Sequence, residues 1–233
     1  ETFNLPTPNK TGYTFAGWFD NEELTGDAVT QITKGTTGNK TFYAKWTATE
    51  YTITYNDLYG VTHTNPTIYT IESEAITFTN PTSERTGYTF KGWNPTGIEK
   101  GSTGNKTITA QWTEILSTIT ITTNPAEGGS IEVDGQPFTP GHTVQVGVTT
   151  TKQVTTIPNE GYGVTSWAFK GAAEWKGGQN TVTLASDGSG ETGELIANYI
   201  PLSRNIQFDK QSGEGGTETA TVTYTQNNYS PAS

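Results

Sequence analysis

Apolar and polar residues alternate with period two in segments spread along the whole chain. In residues 42–46, Phe42, Ala44 and Trp46 point one way and Tyr43 and Lys45 the other. Ile108, Ala110 and Trp112 alternate with Thr109 and Gln111 in the same manner, and Leu195, Ala197 and Tyr199 give a third version. Side chains of a strand point to opposite faces in turn, so each segment predicts a half-buried β-strand. The same reading predicts strands at Tyr51, Ile53 and Tyr55, at residues 67–71, at 118–121, at 131–133, at 143–148 with Val144, Val146 and Val148 in phase, and at 181–184. Near the end of the chain Ile206 and Phe208 flank Gln207, a Gly-rich turn covers residues 209–216, and Ala220, Val222 and Tyr224 suggest a returning strand. The fold class expected is mainly β, with little helix.

Two phrases recur in fixed order. Thr11-Gly12-Tyr13-Thr14-Phe15-Ala16-Gly17-Trp18 returns as Thr86-Gly87-Tyr88-Thr89-Phe90-Lys91-Gly92-Trp93, and more loosely from Gly161 to Trp167. Each is followed at a distance by one of the three alternating strands above. Ordered recurrence of this kind marks an internal repeat. Trp18 is out of phase with Tyr13 and Phe15. A bulge near Gly17 brings Trp18 back to the core face, since glycine inside a strand often marks one; otherwise Trp18 packs on the opposite face. With the bulge, Trp18, Trp93 and Trp167 form one set of equivalent core residues, and Trp46, Trp112 and Tyr199 another.

The Gly-Tyr-Thr-Phe-x-Gly-Trp phrase followed by a Tyr-Ala-Lys-Trp strand resembles the internalin B-repeat, or Listeria–Bacteroides repeat, family. The two closest copies cover roughly the first half of the chain, and the segment from Ser117 to Ile200 resembles the divergent members. The resemblance implies small β-grasp-like modules in tandem on secreted or surface-attached bacterial proteins, and it brings no catalytic residues. Nine residues present after Trp18 are missing after Trp93, so any short helix within 21–29 is not expected to be shared.

These copies divide the chain into four parts. Residues 1–49 are the C-terminal half of a repeat module, 50–113 a complete module, 114–200 a divergent module, and 201–233 the N-terminal half of a further module. Joined tail then head, the two halves make one whole module. Unpaired strand edges invite a partner strand. Burying Ile206, Phe208, Val222 and Tyr224 contributes roughly 6–12 kcal/mol before entropy, at about 1.5–3 kcal/mol each. These four are the candidate self-assembly residues. Three arrangements satisfy the halves: addition of one chain's tail to the next chain's head, a covalent junction in a longer array, and the tail folding back on its own head.

Composition narrows the function. Threonine makes up about a fifth of the 233 residues, and threonine favours strands over helices. The formal net charge of −10 disfavours nucleic acid and anionic lipid as partners. There is no long apolar run, so no membrane insertion is expected, and the absence of cysteine leaves the redox compartment open. His63 and His142 lie far apart in turn-like contexts and are expected to be exposed. Glu22 and Glu23 are adjacent on a loop rather than opposed across a cleft, as glycosidase carboxylates are. No nucleophile elbow, phosphate loop or zinc spacing is present. No catalytic, metal or cofactor residue is therefore assigned, and the chain is not expected to be an enzyme. Asn-x-Ser/Thr triplets at Asn9, Asn39, Asn105 and Asn228 are what threonine-rich sequence produces by chance. The leading expectation is an extracellular structural or adhesive array, self-associating or joined to neighbouring modules, with a host or glycan ligand as a further partner class. The alternative is a carbohydrate-binding appendage, which a row of exposed aromatics such as Tyr43 and Trp175 would favour.

Overall fold

The computed structural model describes residues 1–171, 173–207 and 219–223, with side chains described up to residue 203 except 172–175. The chain forms two compact units, residues 1–85 with 90–112, and residues 86–89 with 113–233.

The first unit begins with β1 (Phe3–Asn4), β2 (Tyr13–Phe19), β3 (Gln31–Ile32) and β4 (Tyr43–Ala48), and continues with β5 (Tyr51–Asn56), β6 (Ile68–Tyr69), β7 (Ile76–Thr77), β8 (Tyr88–Asn94), β9 (Gly97–Ile98) and β10 (Lys106–Glu114). The first two residues of β8 and the last two of β10 count with the second unit. β2 pairs antiparallel with β4, and the register slips between Phe15 and Gly17. This is the bulge expected from the phase of Trp18, with Gly17 at φ +133°, a conformation that disfavours any residue bearing Cβ. It brings Phe15 and Trp18 to one face, with ring centroids 5.5 Å apart. Residues 21–25 form a turn rather than a helix: the Asn21 Nδ2–H donates to Thr25 O at 2.9 Å and its Oδ1 accepts from Thr25 N–H at 3.1 Å.

The central repeat is a four-stranded sheet in the order β6-β5-β10-β8. β5 pairs antiparallel with β6, Tyr51 opposite Tyr69, and parallel with β10, Ile53 opposite Lys106 and Tyr55 opposite Ile108. Its core joins Ile53, Tyr69, Phe78, Trp93, Ile98, Ile108 and Ala110. Tryptophan suits this small core because its N–H finds an acceptor when buried: Trp93 Nε1–H donates to Thr79 O at 2.8 Å. The second strand is shorter than the sequence suggests, ending at Tyr69 rather than Ile71.

The second unit contains β11 (Ser117–Asn124), a 3-10 turn (Ala126–Gly128), β12 (Gly129–Val133), β13 (Gln136–Phe138), β14 (Thr143–Val146), β15 (Lys152–Pro158), β16 (Tyr162–Gly171), β17 (Ala173–Gly177), β18 (Thr181–Ser186), β19 (Thr192–Pro201), β20 (Ser203–Gln207) and β21 (Thr219–Thr223). The sheet β14-β11-β19-β16 has the same topology as the central repeat, with β11 parallel to β19. A second sheet, β13-β12-β15-β18-β17, was not expected from the sequence. Ile119, Ile121, Leu195 and Trp167 of the first sheet share one core with Val154, Val182 and Leu184 of the second. Gly128 and Gly129 fit against the Tyr199 ring, where an added Cβ would lie 2.6 to 2.7 Å from ring atoms. Val148 leaves the strand in which it was expected, since β14 stops at Val146.

Candidate interaction surface

The opening residues, 1–48, repeat the central repeat's β8–β10 half without a β5–β6 half. Trp18 Nε1–H donates to Pro6 O at 2.7 Å, as Trp93 does to Thr79 O. Burial differs sharply. Ile108 is 0% and Ala110 4% exposed, while their counterparts Phe42 and Ala44 are only half-buried; Trp93 is 5% exposed and Trp18 half-buried. The cause is visible in the central core, where Ile53 of β5 and Tyr69 of β6 close the cluster. Among the described residues none covers the earlier half in this way. Strand pairing differs in the same way: β10 lies between β5 and β8, and β19 between β11 and β16, whereas β4 pairs with β2 alone among the described residues. An open concavity of about 440 Å³ is lined there by Val29, Ile32, Phe42 and Tyr43, with Asp20 and Lys40. Ile32 and Phe42 hold the positions of Ile98 and Ile108.

β20 and β21 form a hairpin of the opening type. Tyr51, Ser117 and Arg204 each follow a closing aromatic (Trp46, Trp112, Tyr199) by five residues. Tyr51 pairs with Tyr69, Ser117 with Val146 and Arg204 with Val222. Ile206 therefore holds the position of Ile53, and Val222 that of Tyr69. Phe208 and Tyr224 lie outside the described residues.

Among the described residues no group of three or more His, Asp or Glu is placed to hold a metal ion. Glu22 and Glu23 are exposed on their loop. His142 is exposed as expected, but His63 is not: it is half-buried, its ring centroid 4.1 Å from that of Tyr55 and 5.7 Å from that of Trp93. Its Nδ1 is buried without a hydrogen-bond partner. The exposed aromatics among the described residues are Phe3, Tyr43 and Tyr59, and the Arg85 guanidinium covers the Tyr59 ring at 3.7 Å. Trp46 and Trp112 are half-buried, unlike Tyr199. Trp112 has Arg85 over its face at 5.5 Å, and Trp46 has Lys10, the residue equivalent to Arg85, at 5.9 Å.

One carboxylate in the second unit is unusually well held. Glu114 Oε1 accepts from the Thr149 hydroxyl at 2.7 Å and from the Thr149 and Thr150 amides, and Oε2 accepts from the Thr150 hydroxyl. The Thr150 hydroxyl, followed by the Thr149 hydroxyl and both amides, lowers its pKa from 4.5 to about 2 against partial desolvation. A depressed folded-state pKa contributes stability that is full above the unfolded value and lost as pH falls. The thermal midpoint difference between the parent chain and Glu114→Gln is therefore expected to hold steady above pH 4.5 and to shrink between 4.5 and about 2. Asp134 and Asp187 are also held below the usual carboxylate range, but they are common to both chains and cancel in the difference. A difference that does not change with pH contradicts this assignment.

No helix among the described residues is long and apolar enough to cross a membrane. The sequence profile of the Listeria–Bacteroides repeat domain matches residues 1–45 and 51–123. Two similar proteins come from Evansella cellulosilytica. One, named as a membrane protein, is 31% identical over 115 residues, which is 45% of this chain and 16% of the relative. The other, named as a Gly-rich membrane protein, is 34% identical over 88 residues, 37% of this chain and 10% of the relative. The matched region thus spans a sixth or less of either relative's length. No solved structure matches the chain. The recurring tryptophans, the bulge at Gly17 and the profile match over half the sequence agree: the chain belongs to the Listeria–Bacteroides repeat domain family.

Proposed function

We propose that the chain is a structural array at the outer surface of a bacterial cell, and that its repeats are completed by strand addition. In this reading the open edge of β4 takes an opening hairpin in parallel, as β10 takes β5 and β19 takes β11. The hairpin of β20 and β21 is of the right type, and a second copy of the chain donates it. The contact is heterologous, so it propagates end to end into a filament. One observation carries the reading: Trp18, Phe42 and Ala44 stay half-buried, beside an edge of β4 with no partner among the described residues, where their counterparts are enclosed. The surface location draws support from the family and from the relatives named as membrane proteins.

A hairpin joined covalently ahead of residue 1 would fill the same groove, and the two sources differ in one respect. Donation between chains depends on concentration. Light-scattering mass is expected to rise with concentration toward open-ended multiples of the 25.1 kDa chain. Ile206→Asp is expected to leave it monomeric, because a charge would enter the position Ile53 holds in the core. A parent chain that stays monomeric at high concentration sinks donation between copies and leaves the covalent junction.

A further inference from the structure

The Thr-Gly-Tyr turn packs against a residue of the next opening hairpin, and it does so twice with the same parts. In the first unit Gly12 sits at φ +79°, and a Cβ added there would lie 2.6 Å from Ile71 Cδ1. In the second unit Gly87 sits at φ +76°, and an added Cβ would lie 2.6 Å from Val148 Cγ1. Ile71 follows Tyr69 by two residues, and Val148 follows Val146 by two. Tyr69 and Val146 are the equivalent partners of Tyr51 and Ser117. Both Ile71 and Val148 are branched apolar residues just past the second strand, although phase had placed each within it.

The surrounding contacts repeat as well. Gly12 O accepts from Thr49 N–H at 3.0 Å and Gly87 O from Ile115 N–H at 2.8 Å; Thr49 and Ile115 each follow the closing tryptophan by three residues. Gly161 O accepts from Leu202 N–H at 2.7 Å, three residues past Tyr199. The tyrosine of the turn meets the residue after the branched one: the Glu72 carboxylate raises the Tyr13 pKa, and the Tyr88 hydroxyl lies 3.4 Å from Thr149 Oγ1. Glu114 then grips Thr149 and Thr150.

We infer that the Thr-Gly-Tyr turn is the socket of an inter-repeat joint. Its peg is the branched apolar residue two positions past the second strand of the following repeat. This goes beyond a structural array: it names the surface by which one repeat recognises the next, and the residue the next repeat must carry. It also gives the glycine two independent reasons. The left-handed φ alone would admit asparagine, the residue other than glycine that visits this region most readily. The peg admits no Cβ at all.

The two reasons are separated with the full chain. Gly12→Asn keeps the turn's φ accessible but places a Cβ against Ile71. The readout is the rate at which a glutamate-specific protease cuts after Glu50, in the short junction beyond β4, with fragments identified by mass. Gly12→Asn is expected to raise that rate about tenfold with Ile71 present. Ile71→Ala removes two of the three side-chain atoms that crowd the added Cβ, so in its presence the same substitution is expected to raise the rate by no more than about threefold. Val148→Ala with Gly87→Asn repeats the design in the second unit, read by the thermal midpoint. If the asparagine penalty is the same with isoleucine and with alanine at position 71, the joint is overturned and Gly12 serves only the turn. The joint is equally overturned if neither substitution changes cleavage. Neither result touches the strand addition at β4, which light scattering tests on its own.

Discussion

Replacing Trp93 by alanine is expected to unfold the central repeat. Trp93 is 5% exposed and meets Tyr55, Phe78 and Phe90 edge to face at centroid distances of 5.4, 6.4 and 5.1 Å. Truncation removes those contacts, leaves a cavity, and takes from the Thr79 carbonyl one of its two donors, the other being the Asn65 Nδ2–H. Large aromatic truncations in a core cost about 3–5 kcal/mol. A repeat of this size has a total stability on the order of 3–9 kcal/mol, at about 0.05–0.15 kcal/mol per residue. Loss of the repeat's near-ultraviolet dichroism and of its share of the denaturation transition at room temperature is the expected result. Tyr59→Ala, on an exposed ring, serves as the control and should shift stability only slightly. A variant at position 93 that melts with the parent chain would show that the tryptophan is not a core residue.

The second large effect is expected at Leu195. It is fully buried on β19, the strand flanked by β11 and β16, and shares its core with Leu184 and Val182 of the facing sheet. Leu195→Ala should cost about 2–5 kcal/mol. Ile196 is the adjacent residue, on the opposite face of the strand and only half-buried. Ile196→Ala should cost clearly less, by a margin on the order of 1 kcal/mol or more. Urea unfolding of the two variants measures the difference directly. Equal costs would mean that β19 is buried on both faces, and the two-sheet description of the second unit would be wrong.

The sequence made the repeated half of this fold legible because its signals are redundant. Phe42, Ala44 and Trp46 alternate and Gly17 sits where the phase of Trp18 demands a bulge; the first feature returns at Ile108, Ala110 and Trp112, and the Gly-Trp pair returns at Gly92 and Trp93. The five-stranded sheet was hidden for physical reasons. β15 reads Lys-Gln-Val-Thr-Thr-Ile-Pro, and its inward positions are Val154 and Thr156. Thr156 is buried because its hydroxyl is hydrogen-bonded to that of Tyr199, a contact that hydropathy cannot anticipate. β17 lies in a Gly-rich stretch that reads as turn. His63 was misjudged because its burial depends on Tyr55 and Trp93, eight and thirty residues away in sequence. At the candidate site, phase placed Ile206 and Val222 on strands, and the pairing of β20 with β21 agrees with that placement. The half-covered Ile32 and Phe42 were not singled out, because which positions remain half-covered is a property of packing rather than of pattern.

The proposed strand addition at β4 would also fix a register, and this gives its sharpest test. In the central repeat Ile53 faces Lys106 and Thr54 faces Thr107. In the third, Ile119 faces Gly193 and Thr120 faces Glu194. Carried to the ends of the chain, the proposed addition would set Ile206 opposite Lys40 and Gln207 opposite Thr41. Thr54 and Thr107 are both exposed, so the corresponding pair is open to oxidant, and the parent chain has no cysteine to interfere. A chain carrying Thr41→Cys and Gln207→Cys, oxidised at high concentration, is expected to give a ladder of covalent dimers, trimers and longer species on a denaturing gel. Lys40→Cys with Gln207→Cys, one residue out of register, is expected to give none. A disulfide formed only within single chains, or no disulfide at any concentration, would contradict head-to-tail strand addition between copies.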